Sequence, residues 1–336
     1  MGHPTQAAPE QPAAVVARRL RRSFKGEIEA VRDIDLTIAR GEVFGFLGPN
    51  GAGKTTTVRM LCTLLPPSAG TASVAGLDVV ADAARVRERI GVALQEIGLD
   101  PVQTGRELLQ LQCGLYGITG QRGRERAQEL LELVGLTEAA ERRTKTYSGG
   151  MKRRLDLASA LVHAPEVLFL DEPTTGLDPA SRLTVWDEVR RINAGGATIF
   201  LTTQYLEEAD QLCDRLAIID GGRIVAEGTP EELKAEMGHD VVSVALDGAD
   251  QAATEAALGE LAGLERIVAE PDALALYIEN GAVAIAEIVR RLDARSITVG
   301  AISVARPSLD DVFLKATGRR LEGADQDAAD AEEASR

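Results

Sequence analysis

Short, nearly continuous apolar runs recur along the chain: "VFGFLG" (43–48), "VLFLD" (167–171), "ATIFLTT" (197–203) and "RLAIID" (215–220). Stretches with apolar residues at helical spacing separate them. Strands without a polar face, alternating with amphipathic helices, predict a largely parallel sheet covered on both sides, hence an α/β domain over residues 14–238. Between about 101 and 163 the strand pattern disappears. There "GRELLQLQCGLYGI" and "RERAQELLELVGL" repeat at helical spacing, so a helical subdomain is inserted into the sheet domain.

The texture changes again after "GTPEELKAEMGHD". Strand ("VVSVALDG"), helix ("QAATEAALGELAGL"), strand ("ERIVAE"), strand ("ALALYIE"), helix ("AVAIAEIVRRLDA") and strand ("ITVGAISVA") follow in the order of a ferredoxin-like unit. A small α+β domain is therefore expected over 239–318, with an interaction or regulatory role because it clusters no His, Cys or paired carboxylates. Its closing "SLDDVFLKATG" (308–318) opens on a Ser N-cap and ends on Gly318 at a C-cap position. Residues 1–13, with three Pro, read as a flexible leader, and 319–336 as an acidic, solvated tail.

Length and charge fit this picture. A chain of 336 residues exceeds a usual single domain. A net charge of −15 repels phosphate backbones in the far field, so no nucleic-acid partner is expected. No apolar run reaches the roughly 18–20 residues of a membrane-spanning helix, and "PAAVVA" is too short for a signal-peptide core, so a cytoplasmic location is expected. Cys62, Cys113 and Cys213 fit no metal-ligand spacing and read as small buried apolar residues. The basic cluster "RRLRRSFK" (18–25) reads as a charged strand face.

The candidate chemistry begins at "GPNGAGKTT" (48–56), which matches G-x-x-x-x-G-K-[ST] between an apolar strand and the helix "KTTTVRMLCTLL". The loop Gly48, Pro49, Asn50, Gly51, Ala52 and Gly53 turns backbone N–H groups inward, and the helix N-terminus adds its positive end. Lys54 is expected to bridge the β- and γ-phosphates of ATP, and the Thr55 hydroxyl to ligate Mg²⁺, with Thr56 beside it. "VLFLDEP" supplies the carboxylates: Asp171 ends a buried strand, where a lone charge is costly without a cation, and Glu172 follows. Asp171 is expected to hold Mg²⁺ through its water shell and Glu172 to act as general base on the attacking water. In "YSGGMKRRLDLASAL" (147–161), Ser148 is placed as the N-cap of a helix, and Gly149 and Gly150 leave a second set of N–H groups uncovered.

With the SGG stretch in place, the chain resembles the ATP-binding subunit of an ABC transporter, a P-loop NTPase of the ABC nucleotide-binding type. The resemblance implies that Gln95 in "GVALQEIGLD" touches Mg²⁺ and senses the membrane subunit. Asp178 in "TTGLDP" reaches across a dimer, and Phe24 in "LRRSFKG" stacks on adenine. It also implies that the Ser148 segment of one protomer caps the nucleotide of the other, hence a homodimer. Gln204 in "LTTQYLEEAD", the additional domain and "SLDDVFLKATG" together resemble the daunorubicin/doxorubicin-resistance group. That resemblance implies export of a drug, antibiotic or lipid through a separate permease, at the cytoplasmic face of the membrane. In most of the family His stands at the position of Gln204, which keeps the reach and an N–H donor but cannot carry a proton near neutral pH. An ABC-type ATPase of DNA repair or translation is disfavoured, because neither a long coiled-coil periodicity nor a second cassette is present. A binding-only subunit is disfavoured by the complete set Lys54, Thr55, Asp171, Glu172 and Ser148.

Overall fold

A computed structural model describes residues 13–318, except 27, 97, 237, 239, 247, 249, 270, 271 and 306. The expected leader up to residue 12 and the tail 319–336 lie outside the described residues. Ala13, assigned to the leader, already opens the first strand. In chain order the first unit contains β1 (Ala13–Phe24), β2 (Ile28–Ala39), β3 (Val43–Leu47), α1 (Lys54–Leu61), β4 (Ala69–Val74), β5 (Leu77–Asp78), α2 (Ala83–Arg87) and β6 (Ile90–Ala93). It continues through α3 (Gly105–Leu115), α4 (Gly120–Leu133), α5 (Gly149–Ala160), β7 (Val167–Asp171), α6 (Pro179–Ala194), β8 (Thr198–Thr203), α7 (Leu206–Leu212), β9 (Arg215–Asp220) and β10 (Arg223–Gly228). The second contains α8 (Pro230–Ala235), β11 (Asp240–Ala245), α9 (Gln251–Leu258), β12 (Leu264–Ala269), β13 (Ala273–Ile278), α10 (Gly281–Ala294), β14 (Ala301–Ala305) and α11 (Leu309–Thr317).

The four runs that opened the sequence pattern are β3, β7, β8 and β9, and they form the centre of a six-stranded sheet in the order β10-β9-β3-β8-β7-β6. Every residue of β3, β7 and β8 is buried, which accounts for their missing polar alternation. Register is what builds a site here. Parallel pairing sets Leu47 opposite Thr203 and Asp171 opposite Thr202, so three strand ends reach one edge together. The ring of Phe200 on β8 lies 6.0 Å from Phe44, 5.6 Å from Phe46 and 5.6 Å from Phe169, tying the three strands by their side chains.

A four-stranded antiparallel sheet, β2-β1-β4-β5, also belongs to this unit. The long pattern of β1 alternates imperfectly because its register slips between Ala17 and Leu20, where Arg19 takes a left-handed φ of 44°. Arg18, Arg19 and Arg21 are exposed on it, as a charged strand face requires. Between β6 and β7 lie the helices α3, α4 and α5 and no named strand among the described residues, with α3 started by a full capping box from Thr104 to Glu107. The three cysteines are buried and free.

The second unit is a βαββαβ arrangement with antiparallel sheet order β12-β13-β11-β14, the ferredoxin-like topology. Val242, Val244, Leu274, Leu276, Ile288 and Leu292 form its core. The boundary between the units falls at Thr229 and Pro230 rather than at 238. The reason is α8: it packs on α11, and Lys315 Nζ donates to the Glu236 carbonyl at 3.0 Å.

Phe200→Ala removes the ring shared by three strands and leaves a cavity at the sheet centre. Its expected cost is about 3–5 kcal/mol of unfolding free energy, measurable by denaturant titration of the full chain.

Candidate functional site

At the shared sheet edge a cleft of about 220 Å³ is lined by Ala30, the loop residues Pro49, Asn50, Gly51 and Gly53, then Lys54, Thr55, Thr56, Gln95 and Glu172. The loop leaves β3 through Gly48, whose N–H donates to the Thr203 carbonyl at 3.3 Å. Gly48 has no room for a side chain, because a Cβ there would lie 2.4 Å from the Ile219 carbonyl oxygen. Gly53 takes φ 109° at the N-cap of α1, a conformation that favours glycine, and a Cβ would meet the Ala30 oxygen at 2.4 Å. Ala52 is buried, its N–H bonded to the Pro49 carbonyl at 3.2 Å. The first N–H groups of α1 have no carbonyl a turn earlier to bind, so they face the cleft as donors.

Lys54 curls back into this loop, donating to the Gly48 carbonyl at 2.5 Å and the Pro49 carbonyl at 3.2 Å. Its ammonium also lies 3.2 Å from Glu172 Oε1, an ion pair with both side chains nearly fully buried. Burial lowers the Lys54 pKa, and the charges of Glu172 and Asp171 oppose that shift. Asp171 accepts from Thr202 Oγ1 at 2.6 Å and from Thr55 Oγ1 at 3.2 Å, both on Oδ1. Its Oδ2 is buried and has no hydrogen-bond partner. A buried carboxylate oxygen left open beside a threonine hydroxyl is a donor set that fits a hard cation such as Mg²⁺.

Adjacent strand residues point to opposite faces, so two consecutive carboxylates need a turn to meet one ligand. Glu172 provides it: its φ is +49°, left-handed for a residue with a Cβ. The Glu172 N–H is fixed by the Thr202 carbonyl and hydroxyl, each at 3.1 Å. Gln95 Nε2 and Thr175 Oγ1 both donate to Glu172 Oε2 at 3.2 Å. One carboxylate thus gathers Lys54, Gln95 and Thr175.

Ser148, Gly149 and Asp178 stand elsewhere. Ser148 caps α5, its Oγ accepting from the Met151 N–H at 3.2 Å, and both it and Gly149 are exposed. Asp178 caps α6 in the same way through Ser181 at 3.0 Å, and those hydrogen bonds hold its pKa below the usual carboxylate range. The two helix ends lie side by side, since a Cβ on Gly150 would sit 2.7 Å from Ser181 Oγ. None of these residues lines the cleft around Lys54. Gln204 lies just past β8 at a half-buried bend and does not line it either. Phe24 is 42% exposed at the end of β1, with the Arg22 guanidinium 4.9 Å over its ring, and Ala30 forms the cleft wall instead.

Thr202 was not singled out by the motifs, although its signal was present: two threonines close the strand after the apolar Ile199, Phe200 and Leu201. Glu208 was missed as well. It is fully buried on α7, accepting from Thr174 Oγ1 at 2.9 Å and Trp186 Nε1 at 3.1 Å, and burial pushes its pKa up. It braces the segment after Glu172 against α6 and α7.

Residues 31–175 match the family described as ABC transporter. Residues 228–317 match the family described as ATP-binding protein DrrA1-3-like, C-terminal domain. The chain is 49% identical to a daunorubicin resistance ATP-binding protein, DrrA3, of Streptomyces coeruleorubidus, over 87% of this chain and 92% of that protein. It is 48% identical to the daunorubicin/doxorubicin resistance ATP-binding protein DrrA of Streptomyces peucetius, over 90% and 92%. Among solved structures, a dimeric ATP-binding cassette in a post-hydrolysis state with ADP and phosphate aligns with TM-score 0.59 and 25% identity, over 64% of this chain and 98% of that one.

Thr202→Val keeps the shape of β8 but strips Asp171 and the Glu172 N–H of one partner each. The expected cost is about 1–3 kcal/mol of stability, read from the denaturation midpoint of the full chain.

Proposed function

We propose that this chain, which belongs to the ABC transporter family as the ATP-binding, ATP-hydrolysing subunit of an exporter, drives efflux of a drug, antibiotic or lipid through a separate integral-membrane permease. The observation that carries the site reading is the convergence on Glu172: Lys54, Gln95 and Thr175 meet one carboxylate, beside an Asp171 with one oxygen free. ATP phosphates entering over Gly48 to Thr56 draw Lys54 toward the β- and γ-phosphates. Glu172 is then released from its ion pair and serves as general base toward the attacking water. Thr55, Asp171 and Gln95 are the residues that would hold Mg²⁺, which neutralises phosphate charge when bound.

The helix end at Ser148, Gly149 and Gly150, of which Ser148 and Gly149 are exposed, completes with Asp178 next to it the site of a second copy. Exposure supports that reading, because Ser148 and Gly149 at the start of α5 face solvent and do not line their own cleft. Gln204 positions the γ-phosphate from the end of β8 without titrating, and Phe24 offers an exposed ring to the adenine. No helix among the described residues is long and apolar enough to cross a membrane, which supports a separate permease and a peripheral place at the cytoplasmic membrane face. The ferredoxin-like unit serves as an accessory interaction domain.

Glu172→Gln is expected to bind ATP, to lose hydrolysis by two orders of magnitude or more, on the scale of a missing general base (about 10²–10⁴), and to accumulate as a dimer on size exclusion. A monomer with ATP bound refutes the composite site. Gln204→His is expected to change kcat less than about threefold if the amide suffices for positioning, on a scale where tenfold is 1.36 kcal/mol of barrier. A large gain in steady-state turnover shows instead that the amide limits the native site.

A further inference from the structure

Arg153 lies in the second turn of α5, the helix that Ser148 starts, and is 5% exposed. A buried guanidinium is costly unless its donors are met. Here they are met mainly by the backbone. Nε donates to the Pro173 carbonyl at 2.9 Å, Nη2 to the Asp171 carbonyl at 3.0 Å and Nη1 to the Leu94 carbonyl at 2.6 Å, with Asp156 Oδ2 3.4 Å from Nη1. Asp171 and Pro173 flank Glu172, and Leu94 precedes Gln95.

The peptide between Asp171 and Glu172 is therefore gripped at both ends, its carbonyl by Arg153 and its N–H by Thr202. The carbonyl of Pro173, one residue beyond Glu172, is gripped by the same guanidinium. A left-handed backbone at a residue with a Cβ persists only where its surroundings over-determine it, and these contacts do so. The guanidinium is planar, with donors in a fixed fork, so it sets the relative placement of three segments in a way that a lysine cannot. Arg153 does not line the cleft and would not touch the nucleotide.

We propose that Arg153 is a positioning residue for hydrolysis: its guanidinium clamps the carbonyls of Leu94, Asp171 and Pro173, holding Glu172 in its left-handed turn beside Gln95 and tying it to the helix that presents Ser148. This rests on Glu172 acting as the base. It also means that a movement of α5 when a second copy engages Ser148 is transmitted to the carboxylate through one side chain.

The test uses the full-length chain, with kcat and KM for ATP, equilibrium affinity for MgATP and thermal melting measured for R153M, R153K, E172Q and the R153M/E172Q double variant. R153M is expected to lower kcat at least tenfold while KM and affinity stay within threefold. R153K, which keeps the charge but not the fork, is expected to recover only part of that loss, and the double variant to be no slower than E172Q. A kcat for R153M within twofold of the parent overturns the proposal, as does a parallel fall of kcat and affinity, the pattern of a merely structural residue. If R153M does not fold, the same split is read on R153K. An inactive E172Q beside a fully active R153M removes this inference alone, whereas an E172Q with normal turnover removes the base reading and this inference with it.

Discussion

A negative charge at the end of a buried strand is the constraint around which this molecule is organised. Asp171 is 1% exposed, and burying a carboxylate there is expensive unless neighbours answer it. Thr202 and Thr55 answer one oxygen and leave the other open. The adjacent Glu172 is answered by Lys54, which in turn fixes the phosphate loop from inside through the Gly48 and Pro49 carbonyls. Loop, strand end and carboxylate pair therefore form one electrostatic unit, and its open valences are those a phosphate and its cation would fill.

Much of this was legible in the residues. Apolar runs without polar alternation identified the central strands, because a sheet covered on both faces has no wet side to record. The glycine spacing of the phosphate loop was legible because left-handed and crowded positions leave few alternatives, as Gly48 and Gly53 illustrate. The ferredoxin-like order of the second unit followed from its regular alternation of short strands and helices.

What escaped depends on contacts distant in sequence. Thr202 meets Asp171 only through strand register, and Arg153, although it lies within the quoted stretch 147–161, grips Leu94 and Pro173 far from it in the chain, so neither contact can be read from a local motif. The boundary at Pro230 escaped for the same reason, since α8 is assigned by its packing on α11. The left-handed turn at Glu172 has no composition to announce it, because glycine would be the expected residue.

The common ending of β3, β7 and β8 sets a rule for how such a chain can change. Leu47 faces Thr203 and Asp171 faces Thr202, so inserting one residue in β8 would carry Thr202 away from Asp171 and Thr203 away from Gly48 in a single step. Strand length here has no slack, whereas the turn at Gly195 and Gly196 that leads into β8 is open to solvent and can absorb extra chain. Insertions are thereby tolerated only away from these strand ends, and the site itself is left with a fixed gauge.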